Sequence, residues 1–293
     1  MKTLSKIYIF LILAILYIPV LVLMLFSFNS TNNTGVFTGF SLYWYVELFR
    51  SADTFNALKN TLILAVTSAL IATVIGTFAA LGLDRMHSRF VRGTLKSITN
   101  IPMMNPDIVT GISMMLLFVF VGNMIATEDK LNFWTLLIAH VTFNLPYVIL
   151  NVSPKFRQMD KFLPEAALDL GCTPAQSFFK VELPNIMPGV LTGFIMAFTL
   201  SLDDFVISYF CSGSDFQTLP ILIYSMTKKE VKPDIYALST IMILAILALL
   251  ILSTLSREKG DKMKGRFSGL TSRLRERWQS RGTGESKEGG ASK

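Results

Sequence analysis

The chain has 293 residues, 52% of them hydrophobic and 16% charged, with a mean hydropathy of +0.51. That composition excludes a soluble globular domain and belongs to the membrane class. The net charge of +7 does not argue for nucleic acid, because 11 of the 27 basic residues lie in the tail from Ser256 onward, against 5 acidic ones there.

Crossing ~30 Å of hydrocarbon takes about 20 apolar helical residues, and six stretches reach that length. The first, Ile7–Phe28, follows Lys2 and Lys6 as a secretory leader would. Its apolar run is longer than a leader's and no A-x-A site comes before Ser27-Phe28-Asn29-Ser30, so it reads as a retained helix. Residues 29–57 form a long connection in which Tyr43, Trp44, Tyr45 and Glu47 cluster. An interfacial aromatic belt and a substrate contact both fit that patch.

The second span is Leu58–Leu83 and the third Ile98–Gly122, followed by a polar hairpin loop around Glu128-Asp129-Lys130. The fourth is Phe133–Val152, the fifth Met187–Cys211 and the sixth Ile235–Leu255. Between the last two, Ser212–Asp234 has room for an interfacial helix over Leu219–Lys229. The six-span region thus covers residues 1–256, and 257–293 is a basic tail with a disordered composition. Within it, Leu270–Trp278 has the pattern of a basic amphipathic helix suited to anionic lipid.

With six spans, both termini share one side with the loops Asp84–Ser97 and Ser153–Ile186, and that side carries 21 of the 27 basic residues. The positive-inside rule makes it cytoplasmic. Cys172 and Cys211 then fall on opposite sides of the membrane, which rules out a disulfide between them. The sequence has no metal-ligand cluster.

The cytoplasmic loop at about 160–186 is the most structured of the connections. Pro164 suits the first turn of a helix, and Glu165 sits where a carboxylate meets the positive end of the helix dipole. Gly171 provides a C-cap, and Thr173-Pro174 supplies an N-cap and N1 for a second helix that runs through Phe178 and Phe179 until Pro184 stops it. Three readings compete: packing on its own bundle, a DNA-binding helix-turn-helix, and a docking surface for a partner. Flanking spans and a balance of 4 basic and 4 acidic residues disfavour DNA.

The spacing Glu165-Ala166-Ala167, Gly171, Val181, Leu183-Pro184 resembles the EAA loop of permease subunits in binding-protein-dependent ABC importers, with Val181 in place of the usual Ile. The resemblance implies that the loop enters a groove on an ATPase subunit, with Glu165, Ala166, Ala167, Gly171, Phe178, Leu183 and Pro184 as the docking residues. The chain has no nucleotide-binding motif of its own: Gly260 to Gly265 has the glycine spacing but continues Arg266-Phe267. ATP and Mg are therefore expected on the partner, and no cofactor or catalytic residue on this chain.

The spans contain Asp107, Asp203 and Asp204 and no Lys or Arg well inside them. A charge at the bilayer centre costs roughly 2.5–3.5 kcal/mol on insertion scales, so such residues face cavities and mark paths. Three carboxylates without a cation point to a cationic cargo. At 1.5 Å per residue, Asp107 lies roughly 14 Å into its span and Asp203 roughly 12 Å below the outer end of the fifth. Helix neighbours differ by about 100°, so only one of Asp203 and Asp204 faces a pore.

Structural roles compete here too. Asp107 can cap a helix restarted after Asn105-Pro106, and Asp203 and Asp204 can bond to hydroxyls such as Ser201 or Ser208. His140 and Asn144 read better as a helix-packing polar pair than as a proton relay.

The segments Pro102–Val109 and Ser201–Asp204, with Trp44-Tyr45, resemble the second permease subunit of spermidine/putrescine importers (PotC type). The fold this implies is all-α: six transmembrane helices with a cytoplasmic helix-turn-helix coupling loop, the type I ABC importer permease fold, in the bacterial cytoplasmic membrane. The implied partners are an ABC ATPase dimer, a second homologous permease, an extracytoplasmic polyamine-binding protein and membrane lipid. The implied cargo contacts are Trp44, Asp107, Asp203 and Asp204. An importer for another small solute remains as an alternative, as does an ion-coupled secondary carrier, which leaves the EAA spacing unexplained.

Overall fold

The structure, a computed structural model, describes residues 2–31, 36–126, 129–214, 216–228, 234–248 and 251. The basic tail and its Leu270–Trp278 segment lie outside the described residues. The described chain is helical, with a single isolated bridge, Asn29 to Phe40, outside the helices. In chain order the helices are α1 (Lys2–Phe26), α2 (Tyr43–Arg50), α3 (Ala52–Arg85), α4 (Arg89–Met104), α5 (Asp107–Ile125), α6 (Phe133–Gln158), α7 (Phe162–Asp169) and α8 (Pro174–Ser177). A wide π turn, Phe178–Glu182, leads into α9 (Leu183–Asp203), followed by α10 (Val206–Cys211) and α11 (Leu219–Thr227). The helix Asp234–Ala248, here α12, closes the series.

Five helices are long and apolar enough to cross a membrane, and α12 is a shorter apolar helix within the described residues. Two expected spans differ from the sequence reading. The third is broken: α4 ends at Met104 and α5 begins at Asp107, because Pro106 lacks the N–H that a continuous helix needs. The fifth is broken after Asp203, so that α10 forms a separate short helix.

The centre of the bundle is α3, α6 and α9 packed on one another. Lipid is as apolar as leucine, so van der Waals fit rather than water exclusion holds such helices together, and small residues allow that fit. The buried stripe of α3 is accordingly Ala57, Thr61, Ala65, Ser68, Ala69, Ala72, Gly76, Thr77 and Ala80 among a few leucines. A Cβ at Gly76 would stand 2.7 Å from Val148 Cγ1 on α6, and one at Gly189 on α9 would stand 2.9 Å from the Asn151 carbonyl. Glycine is what brings these helices within reach.

Polar side chains bridge the same three helices. Asn144 Nδ2 donates to Ser201 Oγ at 2.7 Å, and the hydroxyls of Ser201 and Ser68 lie 3.0 Å apart. A second apolar cluster joins Leu48 of α2, Ala57 of α3, Leu219 and Leu222 of α11 and Leu238 of α12. Thr61 Oγ1 links the two clusters by accepting the Leu219 N–H at 2.7 Å. The exposed apolar residues of α1, such as Ile9, Phe10 and Leu16, fit a lipid-facing helix.

Candidate functional site

The loop after α6 folds from its local chemistry. α7 ends in a left-handed turn at Gly171 (φ +84°), where the Gly171 N–H donates to Leu168 O and the Cys172 N–H to Ala167 O. These two bonds satisfy carbonyls that the helix end leaves free, and they form a Schellman motif. α8 then starts with a reciprocal cap: the Gln176 N–H donates to Thr173 Oγ1 at 3.3 Å, while Gln176 Oε1 accepts the Thr173 N–H at 3.1 Å. Ser177 Oγ donates to the Pro164 carbonyl at 3.4 Å and ties the two helices together.

α7 begins at Phe162, which places Pro164 in its first turn. Two details depart from the sequence reading. Pro184 does not stop the second helix. The chain passes from α8 through the π turn directly into α9, and the Leu183 N–H reaches back to the Phe178 carbonyl. That wider register accommodates a proline that has no N–H to give. Finally, Phe178 is not a free anchor: it is buried against Phe78 of α3 with ring centroids 5.7 Å apart.

What the loop leaves open is a distinct surface. Glu165, Ala166, Gly171 and Pro184 are exposed, Leu183 is half-buried, and Ala167 is buried under α7. Phe179 is 58% exposed, and Phe162, Leu168 and Leu170 stand out beside it. Between this loop and the end of α3 lies a cavity of about 550 Å³ whose walls include Arg85, Arg92, Lys161, Glu165 and Glu182. An ion pair spans it: Arg85 donates to Glu182 Oε1 at 2.6 Å, with Glu182 only 2% exposed. Sequence reasoning missed this pair, since its members are 97 positions apart and neither lies in a motif.

The three carboxylates occupy two helix breaks. Asp107 opens α5 in its first turn and is exposed, not deep within a continuous span. Asp204 sits in the break between α9 and α10. Its carboxylate accepts the N–H groups of Ser208 (2.8 Å) and Ile207 (3.3 Å) and lies 3.5 Å from His140 Nε2. It therefore has partners inside the protein, and at Ser208 the partner is the backbone N–H rather than the hydroxyl that the sequence offered. Asp203, one position earlier, is exposed. Among the described residues, neither the Asp203 nor the Asp107 side chain has a hydrogen bond to another residue or an ion pair.

His140 is seven residues into α6, which puts the Asp204 level about 10 Å below the start of that helix. The depth counted along the fifth span was similar. His140 and Asn144 are both fully buried and each bonds across to the α9–α10 strand of helices, through Ser208 and Ser201 respectively. α5 meets α10 at Gly111, one turn after Asp107, where an added Cβ would be 3.1 Å from the Phe210 ring. Asp107 thus lies one turn from the contact of α5 with α10, the helix that Asp203 and Asp204 directly precede. Trp44 belongs elsewhere: its indole N–H donates to Asn29 O at 2.8 Å, in an aromatic patch with Tyr43.

Comparison with known proteins adds the following. Residues 72–258 match the model of the family described as binding-protein-dependent transport system inner membrane component. The chain is 41% identical over 232 residues to the putrescine transport system permease protein PotI of Escherichia coli, covering 79% of this chain and 82% of that one. It is 40% identical over 257 residues to the spermidine/putrescine transport system permease protein PotC of Escherichia coli, covering 87% and 93%. Among solved structures, a bacterial ABC transporter involved in import of the acidic polysaccharide alginate aligns with a TM-score of 0.68 at 17% identity, over 89% of this chain and 94% of that one. That last likeness concerns the fold alone.

Proposed function

The chain belongs to the family of binding-protein-dependent transport system inner membrane components, and from that premise we propose that it forms part of the membrane channel of an ATP-driven polyamine importer. The observation that carries the cargo is the identity of 40–41% to putrescine and spermidine/putrescine permeases across most of both chains. The two unpaired carboxylates at the helix breaks support it chemically. An alkylammonium group entering the α5/α9/α10 junction finds anions that the protein has not neutralised, and Asp203 and Asp107 are the residues that take it. Asp204 has a different role on this reading, because its oxygens already hold the start of α10.

The exposed face of the loop, with Glu165 and Ala166 of α7 and Phe179 of the π turn, receives the ATPase subunit, which supplies the ATP and Mg chemistry. A second permease covers the bundle, and a binding protein delivers polyamine from outside. Both termini and the coupling loop face the cytoplasm, in line with the distribution of basic residues.

Radiolabelled spermidine uptake by the assembled transporter tests the cargo contacts. Asp107→Asn and Asp203→Asn are expected to cut uptake at least tenfold while the ATPase still co-purifies. Wild-type uptake in both variants rules out the cation path. Uptake of spermidine that excess putrescine and spermidine fail to compete rules out the substrate class.

A further inference from the structure

α4 carries Arg89, Arg92 and Lys96 along one side at helical spacing and has no acidic residue. Its apolar residues Phe90, Ile98 and Ile101 are exposed, and none of its residues is buried. A helix of this kind lies in the boundary between headgroups and acyl chains. Its place in the bundle agrees, since α4 joins the end of α3 to the start of α5 and leans on α6, whose last turn carries Lys155 and Arg157.

Between α4 and α6 is a cavity of about 250 Å³. One wall is apolar, from Ile149 and Leu150, and the rim carries Lys96 and Arg157 with the Asn100 amide. Ser153 Oγ, also on the wall, is buried without a hydrogen-bond partner among the described residues. No carboxylate lines the cavity. Burial lowers the Lys96 pKa, and the neighbouring Arg157 and Arg92 lower it further, against a smaller opposing effect of Asp84. The cations on the rim thus have no carboxylate partner in the cavity lining.

We propose that the α4–α6 cavity is a binding site for the phosphate of an anionic phospholipid, with the acyl chain leaving over Ile149 and Leu150. Lys96 and Arg157 flank the phosphate, and Ser153 and Asn100 supply neutral donors. A free phosphate has no use for the apolar wall, and a cationic cargo is repelled by the rim. The lipid holds α4 against α6 next to the break at Asn105-Pro106, and so sets where Asp107 begins α5. The site requires the chain to be embedded in a membrane and is independent of which solute it carries.

The test measures lipid retained by the full transporter in nanodiscs of phosphatidylglycerol and phosphatidylcholine, by native mass spectrometry. The wild type is expected to keep one phosphatidylglycerol that the Lys96→Gln/Arg157→Gln double variant binds about 30-fold more weakly, at roughly 1 kcal/mol per cation near a membrane surface. Lys96→Arg keeps the lipid. Ser153→Ala weakens it several-fold, which checks the site without removing charge. Four results overturn the proposal: equal retention of the two lipids by the wild type, unchanged retention in the double variant, displacement by inorganic phosphate at millimolar concentration, or retention by the isolated chain alone, which makes the cavity a seat for a partner's acidic side chain.

Discussion

The Arg85–Glu182 pair yields a prediction whose sign depends on burial. Glu182 is 2% exposed and Arg85 is 51% exposed, with 2.6 Å between them. Removing one member of a fully buried pair costs about 3–5 kcal/mol, because a charge stays behind in a poor solvent. Water reaches this guanidinium, so Arg85→Ala is expected to cost about 2 kcal/mol, the penalty of stranding the Glu182 carboxylate. Glu182→Gln leaves a half-exposed cation and keeps a hydrogen-bond acceptor in place, and should cost about 1 kcal/mol. The double variant Arg85→Ala/Glu182→Gln should be more stable than Arg85→Ala alone, since no buried charge is left unpaired. Thermal unfolding of the purified transporter gives the order, and hydrogen exchange over residues 162–184 shows whether the loss is confined to the loop. Additive costs in the double variant would refute the argument, because they would mean that the pair is not limited by desolvation.

Gly171 and Gly76 separate two reasons for glycine. At Gly171 an added Cβ meets nothing within 4 Å, but φ is +84°, so Gly171→Ala should cost about 1 kcal/mol of backbone strain. Asn should cost less, and hydrogen exchange in α7 and α8 reads both. At Gly76 the backbone is ordinary and the obstacle is Val148 Cγ1 at 2.7 Å, so Gly76→Ala should cost roughly 1–3 kcal/mol by overpacking. Val148→Ala in the same chain should restore most of that in a thermal melt.

The parts of this fold that were legible in the sequence are those set by neighbours in the chain. Thr173-Pro174 and Gly171 dictate their turns through their own backbone chemistry, and both appear as capping groups. Hydropathy located the apolar helices, and Asn105-Pro106 marked one possible break, but averaging over a window hid the break at Asp204. Pro184 was read as a stop because a proline lacks its donor, and a π turn one residue earlier removes that conflict. The burial of Phe178 and the partners of Glu182 and Asp204 were out of reach. Each depends on a residue far away in sequence, namely Phe78, Arg85 and His140.

On the proposed reading, the unbroken path from α8 through the π turn into α9 bears on how the loop after α6 would act at the carboxylates. α9 runs 21 residues from Leu183 to Asp203, about 30 Å at 1.5 Å per residue, and no loop intervenes to absorb motion. Gly189 and Gly193 seat it directly on α6 at Lys155, Asn151 and Val148. A push on the loop therefore moves α9 with α6 and not along it, as interlocked helices do not slide by fractions of a residue. The first place where the chain yields is the break at Asp204-Phe205. There Asp204 fastens α10 through two backbone N–H groups and faces His140 on α6, so α10 stays attached to the moving helices. α5 packs just as closely on α10 at Gly111, so it follows at that contact, and its own play is at its free start, the break at Asn105-Pro106. On the proposed reading, the gap that opens is bounded by Asp203 at the end of α9 and by Asp107 at the start of α5, the two carboxylates that the protein leaves without partners among the described residues.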